Sequence, residues 1–219
     1  MRSQKMKKYL ILVLLFIILS SCIFNPFQND GFSNRTYYYQ PYDTLKVYFD
    51  LSLTEVNITF KDSFPDISFA DSVLSKYDFI TLDSMLFARY HYKSGFRAFI
   101  NNKCTDNGFK NFLKELNSDI EISAATPIFY TDKDDPMSYM ILVNRIYTKN
   151  NPDIIDDLGF KEYCESKGLE RIPSTPYRSS YYIVKNVVSG FEALFIANEI
   201  CVNDTSEYAN PDFYINLYR

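Results

Sequence analysis

An alternation of apolar and polar residues that begins at Val47 constrains this chain more than any other feature. Val47, Phe49, Leu51 and Leu53, then Val56, Ile58 and Phe60, occupy every second position with mostly polar residues between them. Successive side chains of a strand point to opposite faces, so a period of two specifies an extended segment with one buried face. The rest of the chain supplies bulky strand formers: 19 tyrosines and 19 phenylalanines stand against 6 glycines and no tryptophan. Such residues favour pleated, half-buried surfaces and cross-strand pairs, so the body is expected to be β-rich. Phe87 to Tyr92 and Phe96 to Ile100 flank Lys93-Ser94-Gly95, and a hairpin is expected there because Gly95 can take a positive φ. Ile120 to Tyr130 reads as a further strand. Phe69, Val73, Leu74 and Tyr77 recur at helical spacing, as do Phe109, Phe112, Leu113 and Leu116, with Asp106 or Asn107 as the expected cap of the second stripe.

The Asp132 to Pro136 turn is taken as a domain boundary. Beyond it the expected order is a strand from Met140 to Tyr147, a helix after Asn151-Pro152 that stops near Gly168, and a short strand from Leu169 to Ile172. A strand from Tyr181 to Val187, a helix from Ser189 and a closing strand from Tyr208 to Ile215 follow. Ser189 and Glu192 have capping-box spacing, and Phe191, Leu194, Ala197, Ile200 and Cys201 give that helix one apolar stripe. The order βαββαβ is that of a ferredoxin-like sandwich. The fold class expected is therefore α+β, with a β-rich N-terminal domain over 37–131 that holds one or two short helices, followed by a ferredoxin-like βαββαβ sandwich over 137–219.

The first 21 residues read as an address. Arg2, Lys5, Lys7 and Lys8 precede an apolar run from Tyr9 to Leu19 that is too short to span a bilayer as a helix, which is the pattern of an export signal. Leu19-Ser20-Ser21-Cys22 resembles a bacterial lipobox, which implies cleavage before Cys22 and its lipidation. Acyl chains bury at about 0.8 kcal/mol per methylene, so several chains on Cys22 would hold the protein durably. The polar, turn-rich stretch over 22–36 is the expected tether, and the expected location is the cell envelope, anchored by lipid to the outer membrane. Without the four basic residues of the signal, the net charge falls from −4 to −8. Such a surface repels phosphates, so nucleic acid is excluded as a partner.

No pattern for catalysis emerges. GxSxG, GxGxxG, a Walker loop and HExxH are all absent. His91 is the single histidine and lies mid-run in Arg89-Tyr90-His91-Tyr92-Lys93, which fits a strand surface better than a triad. The acidic groups Asp132-Lys133-Asp134-Asp135 and Asp156-Asp157 sit at turn and helix-start positions and lack the spacing of a calcium loop. Cys104, Cys164 and Cys201 form no CxxC or Cys/His cluster, so no metal site is expected. They are read as three small buried hydrophobes, the alternative being one disulfide and a free thiol. No cofactor is expected, and the chain is read as not an enzyme.

Within residues 120–219 stand Ala125-Thr126-Pro127-Ile128-Phe129-Tyr130, the Asp-rich turn, Met137 to Tyr147 and Tyr163 to Leu169, then Leu194-Phe195-Ile196-Ala197-Asn198-Glu199-Ile200 and the closing motif Glu207-Tyr208-Ala209-Asn210-Pro211-Asp212-Phe213. In this order they resemble the N-terminal prodomain of Bacteroidota subtilisin-like (S8) serine proteases. The resemblance implies a propeptide-like domain that binds a subtilisin-like protease in trans, as inhibitor or folding chaperone. The sheet face would pack on the enzyme, and the tail, Ile215, Asn216, Leu217, Tyr218 and Arg219, would lie in its substrate cleft. Two departures bear on this. Asn203-Asp204-Thr205 stands where the family has a Gly-containing turn, and no Asp-Thr-Gly, His-Gly or Gly-Thr-Ser occurs, so the expectation is a prodomain without its enzyme. The alternatives are an envelope or surface-binding lipoprotein with no protease partner, or a truncated protease gene product.

Overall fold

The structure, a computed structural model, describes residues 31–215 except 34–35, 43–44, 63–64, 91–92, 102–103 and 174–179. The described residues belong to one compact unit that begins at Gly31. Its elements are β1 (Tyr37–Tyr42), β2 (Leu45–Phe60), α1 (Ile67–Leu74), β3 (Ile80–Tyr90), β4 (Lys93–Ile100), α2 (Asp106–Asn117) and β5 (Ile122–Tyr130). After the Asp-rich turn come β6 (Tyr139–Asn150), α3 (Asp157–Ser166), β7 (Leu169–Arg171), β8 (Ser180–Val184), α4 (Glu192–Cys201) and β9 (Ser206–Ile215).

All nine strands join in one antiparallel sheet, whose path runs β3-β4-β2-β5-β6-β8-β7, with β1 on β2 and β9 on β6. This corrects the expected fold class: the chain is not a β-rich region followed by a separate ferredoxin-like sandwich. Each element expected after residue 137 has an observed counterpart, but β6 pairs with β5 across the Asp132–Pro136 turn, through Ile128↔Ile141, Phe129↔Met140 and Tyr130↔Tyr139. That turn is the bend of a hairpin. Asp132 accepts from the Asp134 amide at 3.0 Å and Asp135 from the Met137 amide at 2.9 Å, the usual work of aspartates in turns.

The sheet contains one topological unit twice. From β2 to β5 the elements run strand, helix, strand, strand, helix, strand, and from β6 to β9 they do so again. Pairing repeats as well: β3-β4-β2-β5 in the first unit has the same order as β7-β8-β6-β9 in the second. In both, the first strand lies between the third and the fourth.

The four helices among the described residues bury their apolar stripes in a single core. Val73 and Leu74 of α1, Phe109, Leu113 and Leu116 of α2, Phe160 and Cys164 of α3, and Leu194, Ala197 and Ile200 of α4 meet alternate strand residues from both repeats. Three helices have a side-chain N-cap: Asp66 accepts from Phe69 N at 2.7 Å, Thr105 from Gly108 N at 3.2 Å and Asp156 from Gly159 N at 2.7 Å. The cap of α2 is thus Thr105, and neither Asp106 nor Asn107, the two residues expected, fills that place. At α4 the box is half formed. Glu192 accepts from the Ser189 amide at 2.6 Å, but the Ser189 hydroxyl accepts from Phe191 N and donates to the Glu192 carboxylate at 2.8 Å, so it caps no amide within the helix. The turn before α4 needs Gly190 at φ +80°, where a Cβ would stand 2.5 Å from the Ala125 carbonyl oxygen of β5. The start of the last helix therefore rests directly on the backbone of the first repeat.

An aromatic junction closes the two repeats on each other. Phe129 of β5 lies 5.5 Å from Phe49 of β2, 6.3 Å from Phe213 of β9, 6.2 Å from Phe191 and 5.7 Å from Tyr37 of β1, ring centre to ring centre. Tyr37 also stacks on Phe191 at 5.0 Å, and its hydroxyl donates to Asp106 at 2.8 Å. Burial is the main reason its pKa is pushed up to about 12. Asn198 of α4 locks β1 in place as a neighbouring strand would: its side-chain amide donates to Tyr38 O at 2.8 Å and accepts from Gln40 N at 2.9 Å.

Candidate functional site

Strand residues of the opposite parity form the second face of the sheet, on which no described helix packs. Ile128, Tyr130 and Ile141 make a small cluster there with Phe32, Tyr139 and Tyr214. The cluster sits where β5 and β6 pair, so it spans the two repeats.

Beside it lies an ion pair. β2 shifts register between Leu51 and Val56, which swings Glu55 onto this face at 6% exposure. Glu55 pairs with Arg97 of β4 and accepts from the Tyr130 hydroxyl at 2.7 Å, while Arg97 donates to the same hydroxyl at 3.1 Å. The guanidinium carbon stands 5.2 Å from the Tyr139 ring centre and 5.5 Å from that of Phe99, so aromatic rings flank the cation. Burial raises the pKa of Tyr130 and Tyr139, which keeps both hydroxyls as donors. The short segment before β1 also reaches this face: Ser33 N donates to Leu51 O at 3.0 Å and Leu53 N to Gly31 O at 2.7 Å. Phe32 then meets Tyr130 edge-on at 5.1 Å.

Over the second repeat the face is more open and richer in tyrosine. Tyr208, Tyr147 and Tyr181 form a row across β9, β6 and β8, with ring centres 5.5 and 4.7 Å apart. Arg145 stands 4.8 Å from the Tyr181 ring centre and donates from Nε to Asp212 at 2.6 Å. Lys149 pairs with Glu207 at the far end of the row, and Ile183, opposite Arg145 in the ladder, is 39% exposed. Tyrosine, arginine and an exposed aliphatic beside partly buried ion pairs are the composition of a protein-binding surface.

The expected site residues divide between packing, this face and the undescribed parts of the chain. Ala209, Pro211 and Phe213 of the closing motif turn to the helix side, whereas Tyr208 and Asp212 lie on the open face. Ile215 is the last residue of β9, pairs with Met140 and is 50% exposed. Cys22, His91 and Asn216, Leu217, Tyr218 and Arg219 lie outside the described residues. Asp156 caps α3, and Asp157 accepts from Arg171 at 2.8 Å, so both serve structure. Glu55, Arg97, Arg145 and the Asn198 clasp were not foreseen. They are ordinary residues in sequence, and only strand register brings their partners to them.

Cys104, Cys164 and Cys201 are all buried. Burial pushes the Cys164 thiol up to about 12, with Tyr182 in hydrogen-bond contact. A thiol so raised stays protonated at neutral pH and is a poor nucleophile. Iodoacetamide at pH 8 is therefore expected to leave Cys164 unmodified in the native protein and to label it in urea, read by mass spectrometry of peptides. Native labelling would show that α3, which carries it, lifts readily from the core. Folding favours the protonated thiol, so this contribution to stability is complete below pH 9, the ordinary thiol value, and is lost as pH rises towards about 12.

Among the described residues no group of three His, Cys, Asp or Glu side chains converges as a metal site, and no helix is long and apolar enough to cross a membrane. Comparison with protein-family models, with curated proteins and with solved structures finds no match to this chain.

Proposed function

We propose that the chain is an exported lipoprotein, anchored through Cys22 in the outer membrane of the cell envelope, that acts without catalysis by docking on a subtilisin-like protease in trans. It would serve that enzyme as inhibitor or folding chaperone. The observation that carries this reading is the open face of the second repeat, where Tyr208, Tyr147, Tyr181, Ile183 and the Arg145–Asp212 pair form one surface. It lies within residues 120–219, the part of the chain that resembles protease prodomains. β9 runs beside this surface and leads into residues 216–219, which would continue into the substrate cleft. An extended tail that pairs through its backbone gains several hydrogen bonds of about 1 kcal/mol net each.

Titration of a subtilisin-like protease encoded beside this gene tests the reading. Removal of residues 216–219 is expected to weaken inhibition at least tenfold, and Ile183→Asp, which places a charge at the centre of the contact, is expected to do the same. Each variant must keep the parent's urea midpoint for the result to count. Equal inhibition constants for parent and shortened chain would remove the tail mechanism. No inhibition by any of them would favour a surface-binding lipoprotein without a protease partner. That second reading has its own support: Leu194, Ala197, Ile200 and Phe213 of the resemblance motifs pack in the core, and Asn198 holds β1, so the motifs serve folding directly.

The anchor is tested separately. Cys22→Ala is expected to move the protein from the membrane pellet to the soluble fraction and to abolish incorporation of labelled palmitate. A variant that still sediments with label attached would place the lipid elsewhere.

A further inference from the structure

We draw no further inference here: the strongest candidate, the row of buried polar side chains Glu55, Asn57, Thr59 and Thr126 on the helix-free face of the first repeat, with the unpartnered Nε of Arg97 beside it, carries nothing because nothing in the structure shows what covers it.

Discussion

Phe129→Ala is expected to lower the stability of the whole chain by about 3–5 kcal/mol, the usual cost of removing a fully buried aromatic ring. Phe129 is 0% exposed and its ring meets Tyr37, Phe49, Phe191 and Phe213, which come from four different parts of the chain. No single neighbour can move into the space without leaving another, so the cavity should collapse only partly. A domain of this kind has about 5–15 kcal/mol in total, so the variant would unfold under mild urea. Both repeats should be lost in one transition, because β5 and β6 are paired and the core is continuous. Urea denaturation followed by far-ultraviolet circular dichroism and by tyrosine fluorescence measures this. Leu45→Ala, at a half-exposed position, should stay within about 0.5 kcal/mol of the parent. Two separated transitions, with only the first moved, would show that the repeats are not coupled through this ring.

Arg97→Met is expected to cost about 3–5 kcal/mol, since it leaves Glu55 buried beside Tyr130 without its cation. Glu55→Gln combined with Arg97→Met should recover most of that loss. The amide oxygen still accepts from the Tyr130 hydroxyl, and methionine can fill the slot between Phe99 and Tyr139. The double variant separates the penalty of a stranded charge from the loss of packing, which neither single variant does. If Arg97→Met alone costs less than about 0.5 kcal/mol, Glu55 is reached by water and the pair is a surface pair.

The strand at Val47 shows how much of this fold can be read from sequence. The apolar positions change from odd to even between Leu53 and Val56, and the change is visible in the residues themselves. It marks the register shift that turns Glu55 to the open face, but nothing in the sequence says that Arg97 will be opposite. The hairpin of β3 and β4 was legible, yet Gly95 sits inside β4, paired with both Ala88 and Thr59, because alternation locates strands better than their ends. The expected division at Asp132 to Pro136 failed for a related reason. An aspartate-rich turn with a proline reads alike as linker or hairpin, and only the pairing of Ile128 to Tyr130 with residues 139–141 distinguishes them. The open face of the second repeat was hidden because Tyr147, Tyr181 and Tyr208 are far apart in sequence and adjacent only across three strands.

The Asn198 clasp has a consequence for the order in which the chain can fold. Its two bonds to β1 span 158 and 160 residues, so the first strand is held by the last helix. Contacts that distant form late, because a long loop must close before they give anything back. The first repeat has all its elements by residue 130, but until β9 arrives Phe49 and Phe129 lack the ring of Phe213, and β1, already paired with β2, lacks the contact of Tyr39 with the same ring. A chain cut short before Ser206 therefore keeps an aromatic surface facing water. Commitment to the folded state rests with the last helix and the last strand together, and the first strand is fully seated only once both are in place.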